Sequence, residues 1–459
     1  KQAQRAAKQE EQQREGEGEA ISTATATNVS GESIEANHVC FEWKPIEASP
    51  VIDGYRNNCE FTVGVDVNGA PRVGFLQGSF SQGYHTTANP NDCKHISQLS
   101  KNVVQIMQQF VEQYIARDLE ANGPLLDQES APENGNVAAA EAVLSTRIDK
   151  VRSRFDPYDK PTHTGFFRMI KVRENRQGQV MILSQVNPTG LSTEQIEQYK
   201  KDLLQYFLSY DKKSEESKDK PFQIDLVSLW VQLYDGWSNA APADNPVDKI
   251  YGQEFMIEEI FGLKFQISPL SFFQVNTKGA EHLYSIAGDW AQIPGDRKPV
   301  LLDVCCGTGT IGMSLAHKVE KVIGLEISES AVADAKKNAL LNNITNIDFV
   351  CGKAEDTLGP QLVKHISHGT ETIAIVDPPR GGLHSKVLRA LLKCKAIDRL
   401  VYISCNPKTL AENAVLLCKP PSNATDRSTP FKPVKGVAVD MFPHTNHCEM
   451  IMLFERSKE

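Results

Sequence analysis

The sequence predicts an α/β protein in two parts: a C-terminal doubly wound sheet of alternating strands and helices, preceded by an α+β domain. Three observations carry this. From Val300 onward, short apolar runs alternate with helical segments, the pattern of a parallel sheet covered on both faces. The first of these runs ends in Asp303 and leads into Gly307-Thr308-Gly309-Thr310-Ile311-Gly312, so GxGxxG stands between a strand and a helix. Upstream, period-two segments instead return across turn residues, as hairpins do. The expected divisions are 1–37 as a frayed helix or flexible linker, 38–261 as the α+β domain and 262–459 as the doubly wound domain.

Lys1 to Ala20 is rich in Gln, Glu, Ala and Arg, and Ile21 to Ser33 in Ser, Thr, Ala and Asn, a linker composition. Glu60 to Val67 alternates toward a turn at Asn68-Gly69, and Arg72 to Phe80 returns, predicting a hairpin. A helix is expected from about His95 to Leu119. The Gly-, Pro- and Asn-bearing stretch Ala121 to Glu141 reads as a surface insertion. Phe166 to Arg173 and Val180 to Val186 flank Asn175 to Gly178 as a second hairpin. Ser192 and Gln195 form a capping box that opens a helix running to about Ser209. Lys212 to Lys220 reads as a charged solvated loop, and strands are expected near Ile224 to Leu233 and Phe255 to Ile267. In the C-terminal part seven strands are expected: Pro299 to Asp303, Val319 to Glu326, Ile347 to Cys351, Ile373 to Asp377, Leu400 to Cys405, Val437 to Phe442 and Met450 to Phe454. A helix from about Ser328 to Asn342 follows the second.

With 459 residues and a 40% hydrophobic share, the chain can bury two or three cores of ordinary size. No run approaches the roughly 18 to 20 apolar residues of a membrane span, and nothing resembles a signal peptide, so a cytoplasmic or nuclear protein is expected. Ten Cys are too sparse for a disulfide scaffold, which implies reduced thiols. The formal charge of −9 argues against a surface that grips nucleic acid everywhere. By region, Gly262 to the end holds 23 Lys+Arg against 20 Asp+Glu, leaving 26 against 38 upstream. The acidity is therefore segregated away from the half with the chemical motifs.

The glycine loop lets backbone amides approach a ligand, and Glu326, 17 positions beyond Gly309 at a strand end, is placed to bind ribose hydroxyls. A dinucleotide and S-adenosylmethionine both fit that pattern. Asp303 favours the second, because an acid there can hold a cationic methionine end and would repel pyrophosphate. Asp377-Pro378-Pro379-Arg380 closes the fourth strand, its prolines turning the chain so that Asp377 faces the substrate edge. Similar turns in amino-group methyltransferases carry an aromatic residue where Arg380 stands. The fifth strand ends Ser404-Cys405-Asn406-Pro407, placing a thiol at the same edge. Cys405 there is either a nucleophile or a packed core thiol. Glu449 opens the final strand near this edge, while Thr445, Asn446 and His447 read as turn residues.

Together, FFQVN (Phe272 to Asn276), DVCCGTGTIG, DPPR, SCNP and HCE resemble the S-adenosylmethionine-dependent RNA uracil-5-methyltransferases, most of all their eukaryotic tRNA branch. The resemblance spans about Tyr55 to Glu455, with YRNNCEF (Tyr55 to Phe61) as a weaker element. It implies a Rossmann-like class I methyltransferase domain behind an RNA-binding domain. It further implies that Cys405 attacks carbon 6 of uracil, that Glu449 removes the carbon 5 proton and that Asp377 orients the base or the methyl donor. Gln274, Glu326 and Asp377 match cofactor positions, and Cys305 and Thr310 align with two more, beside Asp303, Gly307 and Gly309. Phe272 and Phe273 either stack on a base or pack. Arg56 and Arg380 are candidate RNA contacts, as are Arg152, Arg154, Arg168 and Arg173 for phosphates.

The implied substrate is the T-loop uridine of tRNA, flipped from its stack, with ribosomal RNA as the alternative. An NAD-dependent dehydrogenase would leave DPPR, SCNP and HCE without work, and a non-catalytic RNA-binding role would not need Cys405. Bacterial ribosomal relatives carry an iron–sulfur site, but Cys40, Cys59 and Cys93 lack compact CxxC spacing, so neither cluster nor zinc is expected. Eukaryotic relatives carry an RNA-recognition domain upstream, so one is expected before Lys1.

Overall fold

The computed structural model describes residues 40–78, 86–125, 152–238, 241–242, 245–291, 298–365, 371–419 and 428–456. Two units are distinguished, Lys1–Trp43 and Lys44–Glu459. The described part of the first holds one short strand, β1 (Glu42–Trp43). All that follows concerns the second unit. The expected linker at 1–37 and most of the expected insertion lie outside the described residues.

The upstream sheet begins with β2 (Asn58–Val65) and β3 (Pro71–Leu76), an antiparallel hairpin in the expected place, followed by the short β4 (Thr87–Ala88). Helix α1 (Gln98–Asn122) starts three residues later than the expected His95, because the Ser97 side chain accepts from the Ser100 amide and caps it. Its apolar positions Val103, Ile106, Met107, Phe110 and Tyr114 recur at helical spacing and are buried. The second hairpin is β5 (Phe167–Glu174) with β6 (Gln179–Val186). The Ser192–Gln195 capping box opens α2 (Thr193–Leu208), which crosses over to β7 (Asp225–Leu233), parallel to β6. Strand β8 (Asp248–Gly252) was not foreseen; it completes the order β4-β3-β2-β5-β6-β7-β8. Residues of α1 and α2 share one apolar core with this sheet.

One expectation needs correction and one gains detail. Lys212 to Lys220 is the charged, largely exposed segment expected, but it is ordered by a 3-10 turn at Glu215–Asp219 with Ser217 buried and by Lys212 and Lys213 pairing with Asp225. Phe255 to Ile267 is not one strand but a tight hairpin, β9 (Met256–Ile260) and β10 (Leu263–Ile267). Phe261 and Gly262 both take positive φ, 52° and 76°, as a two-residue hairpin turn requires. The division expected at 261/262 falls inside that turn.

After α3 (Thr277–Ala291), the second sheet is built from β11 (Val300–Val304), α4 (Thr310–Leu315), β12 (Lys321–Glu326), α5 (Glu329–Leu341), β13 (Ile347–Cys351), α6 (Ala354–His365) and β14 (Thr372–Val376). It continues with α7 (Ser385–Lys393), β15 (Ile397–Ser404), α8 (Pro407–Cys418), β16 (Phe431–Val439) and β17 (Glu449–Arg456). Within this unit the order is β16-β17-β15-β14-β11-β12-β13, parallel except that β17 runs against both β15 and β16. All seven expected strands are present. The order reverses direction between β11 and β14, opening a crevice beyond their carboxyl ends where α/β proteins bind ligands.

Candidate active site

The floor of the crevice is the turn after β11. Cys305, Gly307 and Gly309 all take positive φ, and the Cys305 and Cys306 amides donate to the Leu325 carbonyl at 2.8 and 3.1 Å. Glycine is needed at 309 on two counts: its φ of 81°, and a Cβ that would sit 2.7 Å from the Phe349 ring. Glu326 joins this turn to the end of β12. Its Oε2 accepts from the Gly307 amide at 3.0 Å, and its Oε1 accepts from the Ile327 and Ser328 amides. The carboxylate is thus fixed by the backbone at the mouth of the crevice.

Asp303 lies beneath the turn and is fully buried. Its Oδ2 accepts from the Gly312 amide at 2.8 Å, pinning the start of α4, while Oδ1 has no hydrogen-bond partner among the described residues. Burial pushes its carboxyl up to about 7. Thr310, the first residue of α4, lies 3.3 Å from the Tyr284 hydroxyl, which also shares a side-chain hydrogen bond with Gln274. The Cys305 thiol is pushed up to about 12 by burial and the surrounding carboxylates, so it stays protonated.

Across the crevice, the Asp377 amide donates to the Val304 carbonyl, holding the end of β14 against β11. Desolvation pushes the Asp377 carboxyl up to about 7. The DPPR turn is tied to the SCNP turn, since the Arg380 carbonyl accepts from Asn406 Nδ2 at 3.0 Å and Thr409 Oγ1 at 3.2 Å. Asn406 in turn caps α8. This fixes Cys405, the residue between strand and cap, at the cleft edge with its side chain half-buried.

The decisive pairing is between β15 and β17. Ser404 stands opposite Met450 as the last pair of that ladder, so Cys405, just beyond β15, and Glu449, at the start of β17, lie at the same end of the two strands, and the Glu449 carboxylate acts on the Cys405 thiol. Glu449 is buried, and its Oε2 has no hydrogen-bond partner among the described residues. Desolvation and then Asp377 push its carboxyl up to about 8. The Cys405 thiol is raised by burial, Glu449 and Asp377, and lowered by Arg380. A thiol, a carboxyl poised near neutrality and a second carboxyl therefore share one partly buried edge. That set can add a nucleophile to a substrate and remove a proton from it.

Several expected contacts divide once side chains are placed. Phe272 is 72% exposed, whereas Phe273 is 3% exposed and packs 5.8 Å from the Phe265 ring. Phe273 is therefore core and not a stacking surface. Arg168 and Arg173 are likewise removed from the phosphate candidates. Arg168 is buried between the Tyr158 and Tyr234 rings, and Arg173 is buried with Nη2 donating to the Ser271 carbonyl. Arg154 pairs with Asp118. Arg380 is exposed, and Arg56 is half-buried with Nε donating to the Asn58 carbonyl. Among the described residues no group of three or more His, Cys, Asp or Glu is placed to hold a metal, and no helix is long and apolar enough to cross a membrane.

One residue that braces a site segment carries no motif of its own. Asn57 Nδ2 donates to the Gln274 carbonyl at 3.1 Å and to Thr277 Oγ1 at 2.8 Å, and the Asn57 amide donates to the Val275 carbonyl. With Arg173 on Ser271, the upstream sheet clamps the segment that carries Phe272 and Gln274. The only sequence signal was the Asn pair inside YRNNCEF, at the start of β2.

The model of the tRNA (Uracil-5-)-methyltransferase family matches residues 253–457. The chain is 34% identical over 415 residues to tRNA (uracil-5-)-methyltransferase homolog B of Mus musculus, covering 90% of this chain and 74% of that one. The chain belongs to the tRNA (uracil-5-)-methyltransferase family. To homolog A of Mus musculus the identity is 38% over 425 residues, 92% of this chain. The chain spans 60% of the length of that relative. In fold, this family member is similar to the Pyrococcus abyssi tRNA (uracil-54, C5)-methyltransferase solved with S-adenosyl-L-homocysteine. The TM-score is 0.58 at 21% identity, covering 90% of this chain and 78% of that one.

Proposed function

We propose that this protein is a tRNA (uracil-5-)-methyltransferase, acting in cytoplasm or nucleus, that methylates carbon 5 of the T-loop uridine using S-adenosylmethionine. The reading is supported by the shared end of β15 and β17, where Cys405 follows Ser404 and Glu449 precedes its partner Met450. Carbon 5 of uracil is a poor nucleophile until a thiolate adds at carbon 6. Cys405 forms that bond, and the displaced electron pair makes an enolate whose carbon 5 takes the methyl group. Bound S-adenosylmethionine would supply that methyl group from its sulfonium, with the thioether as leaving group. Glu449, as carboxylate, then takes the carbon 5 proton, the carbon 5–carbon 6 double bond re-forms and the Cys405 thiolate is expelled.

The residues present fit the cofactor. Glu326 is fixed at the strand end where ribose hydroxyls bind, Gly307 leaves open space for backbone approach, Gly309 holds the turn against Phe349, and Asp377 closes β14 beside it, with Gln274 tied to Tyr284. Asp303 supports the loop from below and does not need to touch the methionine end directly. Thr310 and Cys305 contribute backbone position. On the RNA side, Phe272 offers an exposed ring to a base, and Arg56 and Arg380 offer charge to phosphates. The upstream sheet is the RNA-binding domain of this reading, and an RNA-recognition domain preceding Lys1 remains part of it.

Incubation with S-adenosylmethionine and tRNA containing 5-fluorouridine tests the mechanism, because fluorine cannot leave as a proton. A stable protein–RNA adduct is expected with the native chain and none with Cys405→Ala. An adduct that survives Cys405→Ala would overturn the assignment.

A further inference from the structure

We infer that Trp237 and His163 form a stacking platform for an unpaired RNA base, outside the catalytic crevice. The inference rests on the proposed RNA substrate and adds a site to it. Trp237 is 77% exposed, yet its loop is built to hold it. Arg168 lies between two rings, 4.0 Å from the Tyr158 centroid and 4.7 Å from that of Tyr234. Its Nη2 donates to the Ser238 carbonyl at 2.8 Å, next to Trp237. The Tyr234 hydroxyl reaches Ser238 Oγ at 2.5 Å, and Gly236 has no room for a Cβ because the Tyr234 ring lies against it. On the other side, the Tyr158 hydroxyl bonds His163 Nδ1 at 2.7 Å and the His163 ring props the Trp237 ring at a centroid distance of 3.4 Å, tilted by 47°, which leaves the indole as the surface a base would stack on. His163 itself takes a φ of 56°, the left-handed region.

A buried guanidinium and two tyrosines thus brace an indole that is left facing water. Leaving a ring of this size exposed forgoes its burial, and folding alone gives no reason to fix it there. The polar surroundings choose the ligand. Thr162 and Thr164 flank His163 in the chain and bond each other, and Ser238 follows Trp237, so polar residues adjoin both rings and a small ligand suits the spot better than a protein interface of several hundred Å² per side. A single flat base fits it, and aromatic stacking is how proteins hold unpaired bases. Position agrees: Arg168 and Arg173 lie at opposite ends of β5, about 17 Å apart at strand rise, and Arg173 is the residue that holds Ser271 beside Phe272. One strand therefore connects the platform to the loop at the catalytic edge.

The test is the affinity of the whole chain for an unmodified tRNA transcript, measured over a range of salt concentrations. Trp237→Ala should weaken binding roughly 5- to 150-fold, with the loss appearing in KM for the RNA. The slope of log affinity against log salt should not change, because no phosphate contact is removed. Trp237→Phe should recover most of the affinity. Equal affinity of Trp237→Ala and the native chain overturns the platform, as does a loss that comes with a shallower salt slope. If the native chain binds the transcript, loses affinity in Trp237→Ala and yet makes no 5-methyluridine, the activity reading falls while the platform stands.

Discussion

Replacing Glu449 by Gln separates the two roles assigned to this side chain, proton acceptor and buried ionisable group. In the folded protein its carboxyl titrates at about 8 against an ordinary 4.5, with desolvation first and Asp377 second among the causes. A raised folded value means the native state holds the proton more tightly than the unfolded chain. The stabilisation is complete below about 4.5 and is lost as the pH climbs through about 8. At about 1.4 kcal/mol per pH unit the gap sets a ceiling near 5 kcal/mol. Asp377, itself pushed up to about 7, is coupled to Glu449 and shares the effect, which leaves on the order of 2 to 3 kcal/mol attributable to Glu449. Urea unfolding at pH 6 and pH 9 samples the upper part of that window and so about 1 to 2 kcal/mol of it. The native chain should lose stability between the two, and Glu449→Gln should lose less, ending more stable than native at pH 9. In single-turnover assays the same variant should form the methylated adduct but resolve it about 100- to 10,000-fold more slowly. Parallel pH slopes together with normal adduct resolution would refute both the buried environment and the base.

The adjacent rings at 272 and 273 should respond in opposite ways. Phe273→Ala should cost about 3 to 5 kcal/mol of stability, read as a lowered Tm, whereas Phe272→Ala should leave Tm within a degree or two and raise KM for tRNA. Asn57→Ala removes two side-chain hydrogen bonds to the segment holding Gln274, so KM for S-adenosylmethionine should rise about 5- to 100-fold with a smaller change in kcat, a split visible in initial-rate assays. A lower Tm with unchanged KM would reduce Asn57 to a purely structural contact.

The parts of this fold written in local chemistry were legible in the sequence. The Ser192–Gln195 box and the Ser328 cap with its stop at Asn342 name their helices within a residue, because caps are decided by neighbours a turn away. The same holds for DPPR and SCNP, where proline geometry and strand ends fix Asp377 and Cys405 together. What failed depended on distant partners. Arg168 and Arg173 read as surface cations until Tyr234 and Ser271 supplied their environments. Phe272 and Phe273 lie in an irregular segment without a period to say which ring faces inward. The β9–β10 turn was hidden because Phe261 continues an apolar run, although Gly262 beside it is the residue such a turn demands.

The crowding of acids in the crevice bears on the order of events. Burial first, and Asp377 after it, raises the protonation of Asp303, Cys305, Cys405 and Glu449 alike, so Asp377 adds to one negative potential that all four feel. Without ligands these groups favour their protonated forms near neutral pH, and neither a thiolate nor a basic carboxylate is ready. On the proposed mechanism a bound sulfonium would bring a positive charge among them and shift each toward deprotonation, which would prepare Cys405 to attack. Methyl transfer would remove that charge. Glu449 would then regain its high proton affinity at the step where the proposal needs it as the base. One change of charge would thus serve two opposite requirements, which a lone carboxylate held at an ordinary value could not meet. By reciprocity, raising the pH toward 8 should tighten binding of the cationic cofactor far more than that of neutral S-adenosylhomocysteine. Calorimetric titration of both across pH 6 to 9 measures this, and equal pH dependence for the two ligands would rule the argument out.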